Sequence, residues 1–354
     1  MEKRLEALVG RLEEQALDAV LITDLHNIYY LTGFWGSAGT LFVSQKRSLF
    51  VTDDRYALIA KQVVQGCDVI SSRTALSEIA QLIQADGLER IGFEDTISYG
   101  FYQGLVLALE GYDLVAQTNL VEKLRMIKDE VEIATIQRAC QISDQAFIDA
   151  LDFIKPGKTE LEVANFLDFR MRELGASGVS FDTIAASGYR SAMPHGRASD
   201  KVIERGDSLT LDFGCYYDHY ASDMTRTIHV GHVTDEEREI YAITLAANQA
   251  LIDQAKAGMT YIDYDGIPRQ VIENKGYGPN FTHGIGHGMG LDVHEVPFFT
   301  KTLDTLQAGM VVTDEPGIYL DGKYGVRIED DLLITETGCQ VLTTAPKELI
   351  VLSV

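Results

Sequence analysis

Acidic side chains stand on two apolar, β-rich stretches, where a carboxylate is costly to bury without a partner. The strand patterns cover residues 208–213 and 220–229, and they carry Asp212 and Asp223. Two such acids can pair with Arg226 or with backbone amides, or they can bind a metal ion, because a buried charge needs a partner. The pair alone leaves an ion pair and a metal site as open interpretations.

Histidines concentrate in the segment HGIGHGMGLDVHEVP, which holds His283, His287 and His294. His283 and His287 have the i, i+4 spacing of a helical zinc site, but the glycines between them favour an extended strand with close backbone approach. The HExxH zinc motif is absent, because His294-Glu295 is followed by VPF. The GxGxxG pattern fails too, since Met289 stands where its third glycine belongs.

Two glutamates lie on later strand-like runs. Glu315 ends an apolar run and precedes a Pro-Gly turn, and Glu329 lies on the next such run, after Arg327. Either glutamate alone is an ordinary acid at the end of a strand.

Taken together, five of these residues form a ligand set for metal ions. Two Asp, two Glu and one His offer oxygen-rich ligands with a single nitrogen, which suits a pair of divalent ions of hard character. Two divalent cations balance the four carboxylates, which removes the objection to burying so many acids. Such ions also lower the pKa of bound water and so supply a nucleophile. The set consists of Asp212, Asp223, His287, Glu315 and Glu329.

The elements that precede these residues form a separate domain. An opening helix, with leucines at three- and four-residue spacings, comes before an apolar run at residues 20–22. Two β-rich runs at residues 40–43 and 48–51 flank the turn QKR, which predicts a hairpin. Further helix and strand patterns alternate up to a charged junction, VEKLRMIKDEVEI. We therefore predict an α/β domain with a mixed sheet over residues 1–122.

The remaining residues, 123–354, hold a weak internal repeat. A long helix stops at a Pro-Gly pair, and a second helix opens with the capping box Thr159-x-x-Glu162. The segment KPGKT at residues 155–159 returns as KAGMT at residues 256–260. The parallel order of elements predicts two related halves in one domain. The acids would then lie where the halves meet, a usual place for a pocket.

Composition limits the functional class. The chain has 354 residues, which favours two domains, and a formal net charge of −23. This acidic balance argues against nucleic acid, because a phosphate-binding surface needs an excess of Lys and Arg. No apolar run suits a signal peptide or a membrane span, and the four scattered cysteines indicate reduced thiols. We predict a cytoplasmic protein without a nucleic-acid or membrane partner.

Five segments resemble, in the same order, the motifs of the pita-bread metallopeptidases, and within them the Xaa-Pro group of aminopeptidase P and prolidase. These segments are FDTIAASGYRSAMPHGRASD, LDFGCYYDHYASDMTRT, HGIGHGMGLDVHEVP, TDEPGIY and GVRIEDD. The N-terminal segments YYLTGFWGSAG and FVTDDRY resemble the creatinase-type domain. The resemblance implies an α/β (α+β) fold, with a creatinase-like domain over residues 1–122. A pita-bread catalytic domain with pseudo-twofold halves would follow over residues 123–354.

The resemblance also implies roles for the metal ligands. Asp212 would chelate one of two divalent ions, while Asp223 and Glu329 would bridge both. His287 and Glu315 would complete the shell of the second ion. Glu315 would also move the proton between the attacking water and the leaving nitrogen, which a coordinating carboxylate can do. Manganese is the expected ion, with cobalt or zinc as alternatives, since availability often decides among ions for such ligands.

Other residues match family positions that face the substrate. His195 and His294 would stabilise the scissile carbonyl as it becomes tetrahedral, and His283 would line the proline-side pocket. Arg327 and Tyr319 would complete the substrate-binding set, Arg327 by reaching a substrate carboxylate or by holding acids of the cluster. Two plainer alternatives stay open: His195 caps a loop, and His283 is a structural histidine.

The implied activity is hydrolysis of the bond between an N-terminal residue and a following proline, in proline-containing peptides. The segments GFWGSAG and APKELIVL favour the Xaa-Pro aminopeptidase form. A Xaa-Pro dipeptidase (prolidase) acting only on dipeptides is the alternative. A catalytically silent peptide-binding module of the same fold is a further one, although the complete set of five ligands argues against it. The resemblance also implies a homodimer.

Overall fold

The computed structural model describes residues 1–299 and 302–353. Its chain forms two compact units, Met1–Arg125 and Met126–Val354. None of the described helices is both long and apolar enough to cross a bilayer.

The N-terminal unit is built on the predicted mixed sheet. Its elements are α1 (Glu2–Glu14), β1 (Ala19–Ile22), α2 (Leu25–Thr32), β2 (Thr40–Ser44), β3 (Ser48–Thr52), α3 (Ala57–Val63), β4 (Asp68–Ser71), α4 (Ala75–Asp86), β5 (Arg90–Glu94), α5 (Tyr99–Ala108), β6 (Asp113–Gln117) and α6 (Glu122–Arg125). The strand order is β4-β3-β2-β1-β5-β6, with β2 antiparallel to both of its neighbours and the other pairs parallel. The predicted hairpin is formed by β2 and β3. The domain boundary predicted after residue 122 falls inside α6 and stays a prediction.

The second unit consists of two halves, each a helix pair followed by antiparallel strands. The first half contains α7 (Glu130–Phe153), α8 (Glu160–Glu173), β7 (Gly178–Val179), β8 (Ile184–Ser187), a 3-10 turn (Gly188–Ala192), β9 (Ser208–Phe213), β10 (Cys215–Tyr217), β11 (Tyr220–Ala221) and β12 (Met224–Val230). The second half contains α9 (Asp235–Ile252), α10 (Tyr261–Asn274), a 3-10 turn (Gly278–Asn280), β13 (His287–Gly288), β14 (Glu295–Phe298), β15 (Val311–Asp314), β16 (Gly317–Leu320), β17 (Tyr324–Arg327), β18 (Asp330–Ile334), β19 (Cys339–Val341) and β20 (Val351–Leu352).

Both halves follow one plan, in agreement with the repeat in the sequence. The helices α8 and α10 follow threonine caps, Thr159 and Thr260, whose hydroxyl oxygens accept the backbone N–H groups of Glu162 and Asp263. Each half then supplies one antiparallel pair, β9 with β12 and β15 with β18. These pairs belong to sheets ordered β20-β12-β9-β8 and β14-β13-β15-β18-β19.

One predicted strand, over residues 220–229, is interrupted. Ser222 and Asp223 lie between β11 and β12, because the chain changes partner there: β11 pairs with β10, and β12 pairs with β9. Gly214 allows the crossing, since a Cβ at that position would collide with the carbonyl oxygen of Ser222. The prediction of one continuous strand is therefore wrong, and the interruption leaves Asp223 just before β12.

A capping box starts α9 and gives a test of local stability. The hydroxyl of Thr234 accepts the backbone N–H of Glu237, whose carboxylate accepts the backbone N–H of Thr234 in return. We expect Thr234→Ala to lower the free energy of unfolding by about 1 kcal/mol, measured by urea unfolding followed by circular dichroism. Thr135→Ala is the control, because the Thr135 hydroxyl only donates to a carbonyl of its own helix and Ala favours helices. Equal losses in the two variants would contradict the capping role.

Candidate metal centre

The five predicted metal ligands line one cavity of about 450 Å³, a size usual for small-molecule sites. Asp212 lies on β9 and Asp223 just before β12, so the first half of the unit supplies both. Glu315 follows β15, and Glu329 lies between β17 and β18 rather than within a strand. His287 begins β13. The acids therefore come in pairs from the ends of the corresponding strands in the two halves.

The glycines around His287 allow the close approach that the sequence suggested. A Cβ on Gly286 would collide with the carbonyl oxygen of Thr313 on β15. The backbone N–H of His287 donates to the Thr313 hydroxyl at 3.0 Å. The segment is therefore extended, as predicted, and it holds the imidazole beside the acids.

The predicted ligand atoms lie too far apart for hydrogen bonds between them, at a spacing that suits an ion in their midst. His287 Nε2 lies 3.7 Å from Asp223 Oδ2 and 3.7 Å from Glu315 Oε1, beyond hydrogen-bond distance. One ligand atom each of Asp223, His287 and Glu329 lies within 4.8 Å of the other two. Asp212 Oδ1 is buried and has no hydrogen-bond partner in the part of the chain that the structure describes. This donor set, with an oxygen left unsatisfied, fits a metal centre.

Burial and neighbouring negative charges raise the pKa values of Asp223, Glu315 and Glu329. Burial, and then the charge of Glu329, raise the pKa of Asp223 well above its ordinary value. Burial and the charge of Glu315 raise the pKa of Glu329 in the same way. Burial raises the pKa of Glu315 to about 8, although the positive charge of Arg327 opposes the shift. Without a cation the cluster therefore holds protons at neutral pH, and metal binding would release them.

Arg327 makes four hydrogen bonds beside the cluster. Its Nη2 donates to Asp212 Oδ2 at 2.6 Å, and its Nε donates to the Thr225 hydroxyl at 3.0 Å. Its Nη1 donates to the Tyr319 hydroxyl and to the carbonyl oxygen of Pro194. Of the two roles left open for Arg327, holding the acids accounts for these contacts.

The predicted substrate-facing histidines reach the same cavity. His195, His283 and His294 all line it. Burial, and then the charge of Arg327, lower the pKa of His283 to about 4, so this imidazole is neutral at physiological pH. Tyr319 is buried, and its hydroxyl lies 2.7 Å from His283 Nε2. Tyr319 therefore contacts His283 and Arg327 rather than forming a wall of the cavity.

A threonine that sequence reasoning did not select also holds the ligands. The Thr225 hydroxyl donates to Glu329 Oε2 at 2.6 Å while it accepts the hydrogen bond from Arg327. Thr225 lies inside the segment that contains Asp212 and Asp223, yet a threonine on a strand carries no signal of its own. Its importance follows from its partners across the two halves.

Comparison with known proteins agrees with this geometry. Residues 134–336 match the model of metallopeptidase family M24, and residues 4–127 match that of the creatinase/prolidase N-terminal domain. The chain is 39% identical over 353 residues to a Xaa-Pro dipeptidase of Pyrococcus horikoshii, covering 99% of each. Among solved structures, a Xaa-Pro dipeptidase from Bacillus anthracis superposes with a TM-score of 0.96 at 44% identity, covering 99% of each chain. An X-Pro aminopeptidase from Thermotoga maritima superposes with a TM-score of 0.89 at 39% identity, covering 98% of this chain and 99% of that one.

These matches confirm the predicted resemblance and the predicted fold class. A creatinase-type α/β domain precedes a catalytic domain of the pita-bread type, as the motifs implied. They also confirm that the protein is a hydrolase. The five side chains predicted to bind metal line one cavity. The family match shows that the chain belongs to metallopeptidase family M24.

Proposed function

We propose that the chain hydrolyses the bond between an N-terminal residue and a following proline, and that Xaa-Pro dipeptides are its substrates. The observation that carries the proposal is one cavity lined by the five predicted metal ligands and by three further histidines. The segments GFWGSAG and APKELIVL favoured the aminopeptidase form, but similar proteins named Xaa-Pro dipeptidase or prolidase support the dipeptide form better. The similar protein named X-Pro aminopeptidase keeps cleavage of longer peptides as the second candidate.

The proposed cofactor is a pair of divalent ions, with manganese expected and cobalt or zinc as alternatives. Such ions, when bound, lower the pKa of water and supply the nucleophile. We assign the two ions to the five residues that line the cavity. These are Asp212, Asp223, His287, Glu315 and Glu329.

The remaining steps are assigned to side chains. Glu315 would accept a proton from the attacking water and deliver it to the proline nitrogen, which has no N–H of its own. His195 and His294 would donate to the scissile carbonyl oxygen as it becomes tetrahedral. His283, neutral because of its lowered pKa, would contact the proline side of the substrate.

The proposed partners are proline-containing peptides and a second copy of the chain. The predicted homodimer rests on family resemblance and is tested by light scattering coupled to size-exclusion chromatography. The net charge of −23 makes nucleic acid an unsuitable partner.

A buried carboxylate holds both ends of the segment that carries His195. Glu160, at the start of α8, is 0% exposed and accepts the backbone N–H and hydroxyl of Ser187 at 2.7 and 2.9 Å. It also accepts the backbone N–H and hydroxyl of Ser199 at 3.1 and 2.6 Å, and Arg190 Nε at 3.0 Å. The two serines bracket the segment that carries His195. Glu160 therefore binds both ends of the segment through one carboxylate.

Glu160→Gln should loosen this segment, because an amide nitrogen cannot accept hydrogen bonds. We expect kcat on a Xaa-Pro dipeptide to fall on the order of tenfold, since small displacements of a catalytic group are costly, while metal content is unchanged. Asp144→Asn is the matched control. Asp144 is also buried and accepts the backbone N–H groups of Thr344 and Ala345. Neither of these residues belongs to the proposed site. Equal losses of kcat in the two variants would show a general effect of destabilisation instead.

The raised pKa values predict how pH changes the stability of the metal-free protein. The pKa of Glu315 is about 8 in the folded state, against an ordinary value of 4.5. Between these values the folded state binds more protons than the unfolded state, so stability falls as pH rises. We expect the thermal midpoint of chelator-treated protein to fall from about pH 6 to about pH 8, and added Mn²⁺ to restore it most at the higher pH. Glu315→Gln should reduce this pH dependence. A midpoint that rises with pH would contradict the charge model.

The function is tested by assaying the metal-loaded enzyme on a Xaa-Pro dipeptide and on a Xaa-Pro-Xaa tripeptide. We expect cleavage of the dipeptide, loss of turnover in Glu315→Ala, and loss of turnover after metal removal. Efficient cleavage of the tripeptide would favour the aminopeptidase form. Inactivity on both substrates with every ion would support the silent binding module.

A further inference from the structure

The described residues that line the cavity include two with a permanent positive charge, Arg327 and Arg197. Arg327 is buried, and four of its five N–H donors are bound to Asp212, Thr225, Tyr319 and the Pro194 carbonyl oxygen, so it is committed to the protein. The side chain of Arg197 is 78% exposed. Of these two cations, Arg197 is therefore the one that can meet a charged group of an incoming molecule.

The backbone of Arg197 is held in place although its guanidinium is exposed. Its N–H donates to the carbonyl oxygen of His195 at 2.9 Å, and its own carbonyl oxygen accepts from Arg190 Nη2 at 2.6 Å. An antiparallel bridge joins Arg197 to Ile184 at the start of β8. The guanidinium thus projects from a fixed point two residues from His195.

The partner of Arg197 in the structure is easily displaced. Its Nη2 lies 3.2 Å from Asp182 Oδ2, and the Asp182 side chain is 72% exposed. An ion pair exposed on both sides contributes about 0–1 kcal/mol. A second carboxylate that binds the guanidinium through two parallel hydrogen bonds can replace Asp182 at little cost.

Five acids also line the cavity, and their charges would repel a carboxylate that lacked such a partner. The acids Asp212, Asp223, Glu315 and Glu329 line it together with Asp182. Even with two divalent ions neutralising the first four, the chain keeps a strongly negative balance. Arg197 is therefore well placed to favour an anionic group at this cavity.

We propose that Arg197 binds the free α-carboxylate of the proline in a Xaa-Pro dipeptide and thereby determines the preference for dipeptides. This inference rests on the proposed function. A residue spans at most about 3.6 Å along the chain, so the carboxylate of a dipeptide lies close to the scissile bond and to His195. In a longer peptide a neutral amide takes that place, and the charge-assisted bond to Arg197 is lost.

The test compares a Xaa-Pro dipeptide with its C-terminal amide, Xaa-Pro-NH₂, on the metal-loaded full-length enzyme. We expect the wild type to cleave the acid with a lower KM than the amide. Arg197→Ala should raise KM for the acid about 10- to 100-fold, as expected for lost hydrogen bonds to a charged group, with kcat little changed. Its KM for the amide should change less than about twofold, which also shows that the variant is folded.

Two further variants sharpen the comparison. Asp182→Asn should lower KM for the acid, because it removes the competing carboxylate. Arg73→Ala is the matched control, since Arg73 also faces an exposed aspartate, Asp54, but belongs to the N-terminal unit. Arg73→Ala should change KM for neither the acid nor the amide.

The outcomes separate this inference from the proposed function. If Arg197→Ala affects the acid and the amide equally, or neither, the carboxylate role is overturned while Xaa-Pro hydrolysis stands. If the wild type cleaves neither substrate, the proposed function fails and the role of Arg197 fails with it.

Discussion

The structure depends on the cost of bringing four carboxylates together out of water. Asp223, Glu315 and Glu329 repel one another, and burial together with neighbouring negative charges raises their pKa values. Arg327, with its contact to Asp212, supplies one positive charge against this set. The cluster is therefore stable when it holds protons or cations, and a pair of divalent ions would satisfy it at neutral pH. The same excess of negative charge that destabilises the metal-free site would make the site bind metal ions strongly.

The repeated architecture meets this constraint by symmetry. Each half of the second unit supplies one antiparallel strand pair, and each pair carries its acids near the strand ends. Gly214 and Gly286 let backbones cross closely where the acids converge, because a Cβ at either position would collide with a carbonyl oxygen. The Thr225 hydroxyl then links Glu329 to Arg327 across the halves. Close backbone crossings thus allow the acids to converge despite the energetic cost of burying them. Hydroxyl and guanidinium donors then orient the carboxylates.

Much of this was predictable because it is local. Helix caps such as Thr159 and the hairpin of β2 and β3 follow from short-range patterns, and the repeat indicated two halves. The strand through Asp223 was predicted as continuous, because its residues favour strands on both sides of the interruption. That interruption depends on a change of strand partner, which no local pattern records. For the same reason the sequence left open whether Arg327 reaches substrate or holds acids.

The sequence by itself determined which side chains can bind metal, since their types and charge balance are properties of the chain. It also determined the family, because several specific motifs occur in order. Only the tertiary structure decided which of the charged and polar side chains are bound within the protein and which face the cavity. It engaged Arg327 with Asp212, placed Tyr319 behind His283, and left Arg197 exposed on the cavity wall. The physical reason is that burial and hydrogen-bond partners arise from segments far apart in the chain, and they determine whether a charge supports the site or meets a substrate.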